Sequence, residues 1–389
     1  MLSHSRSWRT SEHTSQGHPD KFCDGAADSI LDKVTEAARE FRGVRSPNAP
    51  ELQRTAIEML AKDFMVVVSG EARLGPEIRH LIDFRDIVRN RWAEVGYPDA
   101  DRISVIDHVQ MQSPELQVSS DANGAGDQGI MVGYATAETP SMMPADYEAA
   151  RSLCRRIQEL RTTGAAAWVR ADTKTQVTLD GDGNVVRVVI AVQHAPEHRG
   201  VTDGTKLQAM YKEELLELAV FPILGRVSPD NVVVNGTGSF VVGGTIGDAG
   251  VVGRKIVVDA YGPHIAVGGG AFSGKDPTKV DRSAAYMARH IAKTAVAKRV
   301  GDARSVTVTL AYCIGLRQPE MVRAVTDSGS DISSWVRARF PDLSPKAIAE
   351  TLGLWRDKHD TTWRYQDAAA FGHFGREGFP WERIADVAD

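Results

Sequence analysis

The sequence predicts an α+β fold from three observations: apolar residues recurring at the helical period, β-type runs joined by a short polar turn, and strands that connect through hairpins. The hairpins argue against a doubly wound parallel sheet. From Pro19 to Phe41, the residues Phe22, Ala26, Ile30, Val34, Ala38 and Phe41 recur every three or four positions and predict a helix with one buried face, Pro19 in its first turn. Met65 to Val68 is a short β-branched run ending at Ser69-Gly70. Gln176 to Leu179 and Val185 to Val192 flank the turn residues 180–184 and read as a β-hairpin. Helical periodicity returns at Lys206–Val220 and Asp281–Arg299, and strand alternation at Ser305–Tyr312. Polar, glycine-bearing stretches near 113–129 and 243–250 suggest boundaries between three units, in line with two or three domains for 389 residues.

Composition narrows the functional classes. At 42% hydrophobic and 25% charged residues the chain can bury a sizeable core. Forty-six basic against 51 acidic residues leave a net charge of −5 with no basic block, so neither nucleic acid nor an anionic membrane is the expected partner. Cys23, Cys154 and Cys313 are too far apart for a metal knuckle or disulfide framework, which suits a reducing cytoplasm. The first 20 residues hold no apolar core of a signal peptide, and no stretch approaches 18 uninterrupted apolar residues, so no membrane span is expected.

Four clusters could carry chemistry. GAGDQG at 124–129 fits a dinucleotide fingerprint by letters, but the residues before it do not make a convincing strand. GGAFSGK at 269–275 fits most of a phosphate-binding loop, except that Asp276 stands where a hydroxyl should ligate magnesium. Its glycines, followed by Lys275, Lys279 and a helix near Asp281, still suit a phosphate chain. GGTIGDAGVVGRK at 243–255 brings Asp248 beside Arg254 and Lys255 in a glycine-rich turn, which tight-turn geometry alone would also explain. GHPDK at 17–21 opens the first helix, where Asp20, Asp24, Asp28 and Asp32 form a stripe at four-residue spacing. A solvated acidic face is the expectation for Asp28 and Asp32. Asp20, beside His18 and Lys21 at the end a phosphate would approach, is a candidate magnesium carboxylate. Residues 115–123, poor in large apolar side chains, read either as a mobile loop over a site or as a plain surface loop.

Together, Thr10-Ser11-Glu12 through GHPDK, GAGDQG, residues 247–255 and GGGAFSGKD at 268–276 resemble, in order and spacing, the methionine adenosyltransferase (S-adenosylmethionine synthetase) family. FGHFGRE at 371–377 with FPWE at 379–382 is similar to that family's carboxyl-terminal signature, so the resemblance runs from about Ser11 to Glu382. It implies three similar α/β-layered domains with approximate threefold symmetry, here 8–112, 123–242 and 243–383, interleaved at their edges. It also implies a homodimer or homotetramer with active sites at the subunit interface. The implied reaction joins the methionine sulfur to C5′ of ATP, displaces triphosphate and hydrolyses it to phosphate and pyrophosphate.

The resemblance also implies roles for single residues. His18 would lie near the bridging oxygen, with Lys174, Arg254, Lys255 and Lys275 around the phosphates. Asp172, Phe240 and Ala271 would complete the ATP site, to which Asp248 also contributes. Glu71, Gln112, Asp248 and Lys279 would hold methionine, and Asp127 would be a further active-site acid. Asp20 and, across the interface, Asp281 would ligate Mg2+, two ions per site, and Glu58 would mark a K+ site. Some positions depart from the family pattern: Ser239 for arginine, Gly236 for proline, Asp63-Phe64 for Thr-Gly, Val267 for histidine, a missing second glycine after Gly262, and a shorter 115–123 loop. They spare the phosphate and metal residues. They leave open a paralogue that prefers another thioether, beside a non-catalytic regulatory subunit or an ATP-dependent phosphotransferase.

Overall fold

A computed structural model describes residues 8–45, 53–74, 76–111, 124–355 and 362–387. Gln112 and the 115–123 loop lie outside the described residues. Strands β1 (Arg9–Thr14), β2 (Gln53–Lys62), β3 (Met65–Leu74), β4 (Ser104–Gln110), β5 (Gly129–Thr136), β6 (Val169–Leu179), β7 (Val185–His194), β8 (Val232–Val234), β9 (Gly250–Val251), β10 (Ser305–Tyr312) and β11 (Met321–Thr326) form three sheets, ordered β4-β3-β2-β9, β1-β6-β7-β8 and β11-β10-β5. Pairing is antiparallel throughout except β3–β4 and β7–β8. The fold is α+β, as the hairpins predict.

Each sheet is apolar on the face a helix covers. Helices α1 (Pro19–Arg45) and α2 (Phe84–Val95) pack Phe22, Ile30, Val88 and Trp92 against Ile57, Met59, Val66 and Val105. Helices α3 (Ala145–Thr162) and α4 (Gly204–Leu215) cover Val177, Val188 and Ile190. Helix α5 (Val280–Ala297) lies on β5 and β10, whose alternating Val306, Val308 and Leu310 point inward. The 176–192 hairpin, the helix from 280 and the strand at 305–312 stand where the periodicity puts them. The strand beginning at Met65 runs on to Leu74 instead of stopping at Ser69-Gly70, because Gly70, at φ 113, passes the Ala56 carbonyl where a Cβ would sit 2.1 Å from the oxygen.

The sheets share strands between distant segments. Strand β1 pairs with β6, β5 with β10, and β9 with β2, so successive parts of the chain complete one another's sheets. Among the described residues no helix covers the outer face of the β2–β3–β4 sheet, which displays Leu60, Met65 and Ile106, each 40–48% exposed, beside Glu58. Among the described residues no helix is long and apolar enough to cross a membrane.

The acidic stripe of α1 is not a solvated face. Asp20, Asp24, Asp28 and Asp32 are all buried, with exposures of 0–3%. Each carboxylate accepts backbone N–H groups from a loop far along the chain: Asp20 from Val251, Asp24 from Gly253, Asp28 from Gly274, and Asp32 from Tyr365 and Gln366, all at 2.9–3.0 Å. The glycine loops present N–H groups that no helix or sheet satisfies, and the stripe supplies the acceptors. Their charges are met by Lys255 at Asp20, Lys21 at Asp24 and Arg282 at Asp28.

Candidate active site

The loops held by this stripe divide the sequence-predicted residues into two groups. The first gathers at the N-terminal end of α1. Ser15 Oγ donates to the Ala171 carbonyl at 2.7 Å and Tyr97 Oη to the Gly17 carbonyl at 2.7 Å, so residues 15–18 are tied beside β6. The register Thr14↔Lys174 places Asp172 and Lys174 next to them. His18 Nδ1 accepts from the Asp20 backbone N–H at 3.2 Å, which assigns the ring proton to Nε2. Burial pushes His18 down to about 4, Lys255 and Lys174 adding to the effect and Asp20 opposing it. The ring is therefore neutral at neutral pH and its Nε2–H is a donor.

Lys255 Nζ donates to Asp20 Oδ2 at 2.6 Å, and Arg254 Nε lies 3.7 Å from Asp20 Oδ1. Burial alone would raise Asp20, but the Lys255 ammonium and the Val251 N–H hold it below the ordinary carboxylate range. Lys174 pairs with Glu12 at 2.7 Å and stays partly exposed. Burial pushes Asp172 up to about 7, Asp248 and Asp20 adding to it against the Gly244 N–H that donates to its Oδ2 at 2.9 Å. Asp248 lies close enough to influence both His18 and Asp172. Phe240 borders this group through residues 241–248, and its backbone is held at both ends by one side chain and its main chain. His194 Nε2 accepts the Phe240 N–H at 2.9 Å while the His194 N–H donates to the Phe240 carbonyl at 3.0 Å.

The second group forms around the 268–279 loop and the first turn of α5. Lys275 Nζ donates to Asp281 Oδ2 at 2.6 Å, both side chains near 18–19% exposed. Gly270 lies so close to Asp281 that a Cβ would sit 2.1 Å from its carboxyl carbon, so only glycine leaves that carboxylate in place. Lys279 caps α5 one turn away from Lys275. Thr55 N–H donates to Asp276 Oδ2 at 2.8 Å, which fixes the loop on β2 and explains why an acid replaces the expected hydroxyl: Asp276 is structural. Ala56 bridges Lys275 and pairs with Glu71, which pairs with Gln110, so Glu71 sits on the same sheet as Lys275. Burial pushes Glu58 upward, Lys275 opposing and Asp24 adding. Asp127 is exposed, capping Gln128 N–H at 2.8 Å, two residues before Gly129, which abuts Asp281. Ala271 packs beneath Gly253, the point where the two groups come nearest in the loops.

Asp20 and Asp28 are eight residues apart on one helix, roughly 12 Å of rise. The candidate residues of one chain thus fall into two groups: His18, Asp20, Asp172, Lys174, Asp248, Arg254 and Lys255 at one end, and Glu58, Lys275, Lys279 and Asp281 beyond. No group of three metal-ligating side chains exists among the described residues. Asp20 and Asp281 each offer a single carboxylate, the donor set of an ion held mainly by substrate phosphates. Sequence reasoning missed the Asp24, Asp28 and Asp32 clamps, Lys21 buried between Asp24 and Asp259, and His194. Of the departures, Asp63-Phe64 forms the β2–β3 turn, with Phe64 under the Arg102 guanidinium at 4.1 Å, and Ser239 is exposed beside Phe240.

Residues 6–114, 122–240 and 242–383 match the family models of the S-adenosylmethionine synthetase N-terminal, central and C-terminal domains. The S-adenosylmethionine synthase of Chlorobium phaeobacteroides is 38% identical over 100% of this chain and 98% of its own length. Those of Sorangium cellulosum and Thermosynechococcus vestitus are 39% and 38% identical, covering 97% and 98% of this chain and 88% and 96% of their own.

Proposed function

The chain belongs to the S-adenosylmethionine synthetase family and is a methionine adenosyltransferase, and we propose from that premise how its residues divide the work. The methionine sulfur forms a bond to C5′ of ATP, the C5′–O bond breaks, and its electrons leave on triphosphate, which water then cleaves to phosphate and pyrophosphate. A thioether carries no proton to remove, so the chain need supply no base for the first step. Alignment and charge neutralisation are what remain.

The observation that carries this reading is the convergence of donors at the N-terminal end of α1. The His18 Nε2–H faces the oxygen on which charge develops, and a neutral imidazole donates without giving up its proton. Lys174, Arg254 and Lys255 meet the phosphates; Lys255 and Arg254, parked on Asp20, turn toward them when ATP arrives. Asp172 accepts from the ribose hydroxyls and Phe240, braced by His194, offers its ring to adenine. Lys275, Ala271 and Lys279 approach from the second half-site, where Asp127, Glu71, Gln112 and Lys279 surround methionine, joined by Asp248 from the first.

The family uses metal ions, and Mg2+ bound by Asp20 and Asp281 would supply positive charge at the triphosphate. Glu58, raised by burial with Lys275 opposing, is the carboxylate that would hold a K+ ion. Both half-sites would meet across the uncovered sheet face when two copies pair as a dimer, alone or within a tetramer, Leu60, Met65 and Ile106 being the apolar contacts. Domains of 8–112, 123–242 and 243–383, interleaved at their edges, are the division we propose. A cytoplasmic setting agrees with three unpaired cysteines.

The test is incubation of purified protein with ATP, magnesium and methionine or ethionine, products identified by mass. The sulfonium adduct with phosphate and pyrophosphate is expected. ADP in their place would overturn the assignment.

A further inference from the structure

The carboxyl-terminal signature at 371–377 packs His373 and Phe374 on Phe272 behind the second half-site, and its other side faces away from both groups of candidate residues. It forms one wall of a cavity of about 940 Å3 on the side of the molecule built by α3. Phe371 adopts a left-handed backbone, φ 58, and is followed by Gly372 and Gly375 at φ 82 and 75. A non-glycine residue held in that region is an expense a fold accepts mainly where a loop must be shaped.

What the loop is shaped around is arginine. Arg376 Nε donates to the Gly372 carbonyl at 3.0 Å, and its Nη2 to the Asp367 carbonyl at 2.6 Å. Arg151, 1% exposed, donates to the Gly375 carbonyl at 3.0 Å and leaves a buried Nε without an acceptor. Arg155 and Arg161, about 1.7 turns apart on α3, line the same cavity, Arg161 Nε donating to Gln158 Oε1 at 2.8 Å.

The walls carry five acids and five bases, and the difference lies in which of them are paired. Among the described residues, Arg155, Arg161 and Arg376 have no carboxylate within ion-pair distance. Most of the acids along the walls are already engaged: Glu148 by Arg151 and by Ser141 at 2.7 Å, Glu94 by Arg91 at 3.3 Å, Glu159 by Arg156 at 3.7 Å, and Asp367 by the Arg364 N–H at 3.1 Å. Glu377 stands exposed at the rim. Burial, with Arg151 and Arg155 adding and Tyr147 and Asp367 opposing, pushes Arg376 down to about 10.

We propose that this cavity is a second anion site, distinct from the active site, that takes a diphosphate group. Arg155 and Arg376, near enough to act on each other and without a carboxylate partner, match the several oxygens and charges of a diphosphate better than one carboxylate does, and Arg161 lines the same cavity further along α3. The volume leaves room for a nucleoside beyond it, so free pyrophosphate and a nucleoside diphosphate are the two sources. The site does not depend on the roles given to the half-sites.

Isothermal titration of the full-length protein with pyrophosphate tests it, in wild type, Arg155→Glu, Arg161→Glu and Lys255→Met. Two classes of site are expected in wild type. Arg155→Glu and Arg161→Glu, both at the mouth on α3, should each weaken one class by roughly tenfold or more while kcat and KM stay unchanged. Lys255→Met should weaken only the other class. Repeating the titration with ADP separates the sources: equal affinity in the arginine-dependent class assigns the diphosphate alone, tighter ADP assigns a nucleotide. A single class, lost in Lys255→Met and unmoved by either arginine change, would overturn the proposal.

Discussion

Asp28 and Arg282 form an ion pair at 2.6 Å with neither side chain exposed, and the second oxygen of Asp28 holds the Gly274 N–H at 2.9 Å. The pair therefore joins α1, the phosphate-type loop and the first turn of α5, the three elements that set Lys275 and Asp281. Its partners lie 254 residues apart.

Removing one member should cost fold, not chemistry. Asp28→Asn leaves a buried guanidinium uncompensated, a loss of about 3–5 kcal/mol. Denaturant unfolding should show it as a lower midpoint with unchanged slope. A midpoint equal to wild type would mean the pair contributes nothing.

Lys275→Met and Asp20→Asn should act the other way. Lys275→Met removes a preorganised positive charge from the departing triphosphate and Asp20→Asn a carboxylate that would hold Mg2+ beside it, each loss typically costing about 10²–10³ in rate. Circular dichroism should stay native. Near-normal turnover at saturating magnesium would refute the role of that residue.

Pairing of two half-sites across copies predicts complementation. In mixtures of inactive His18→Ala and Asp281→Asn chains, half of the dimers are mixed and one of their two sites combines intact halves. About a quarter of wild-type activity should return. No recovery after demonstrated subunit exchange would count against shared sites.

Asp172 supplies a pH dependence. Its carboxyl, pushed up to about 7 by burial, binds a proton in the folded state between about 3.8 and 7. As an acceptor for ribose hydroxyls it works when ionised, so kcat/KM for ATP should fall below pH 7 with an apparent pKa near 7. Stability runs oppositely: the folded state holds the extra proton in that window, so this group favours folding as pH falls through 7 toward 3.8. In Asp172→Asn both dependences should flatten; an unchanged acid limb would assign it to another group.

Legibility differed by level. Motif order and spacing carried the reaction, because phosphate chemistry needs glycine, lysine and acid at fixed offsets. The 176–192 hairpin and α5 were readable because their periods are local. The Asp28 and Asp32 contacts were not, since four-residue spacing describes a solvated stripe and a buried one equally. A signal was present: Cys23, Ala27 and Leu31 beside Phe22, Ala26 and Ile30 make α1 apolar around most of its circumference, and such a helix is buried on every side. The division into half-sites depends on contacts between segments hundreds of residues apart, which no local window contains.

The acidic clamps also set an order of events during synthesis. Helix α1 leaves the ribosome early, yet its aspartates wait for N–H partners 229 to 334 residues downstream. At roughly 5–20 residues per second the longest of these intervals is about 17–67 s. Asp20, Asp24 and Asp28 can be paired once residues 251–274 are made, whereas Asp32 carries a carboxylate without its partners until Gln366 emerges. The N-terminal segment is thus the last to be locked, and a chain truncated before residue 365 should leave α1 open to proteolysis.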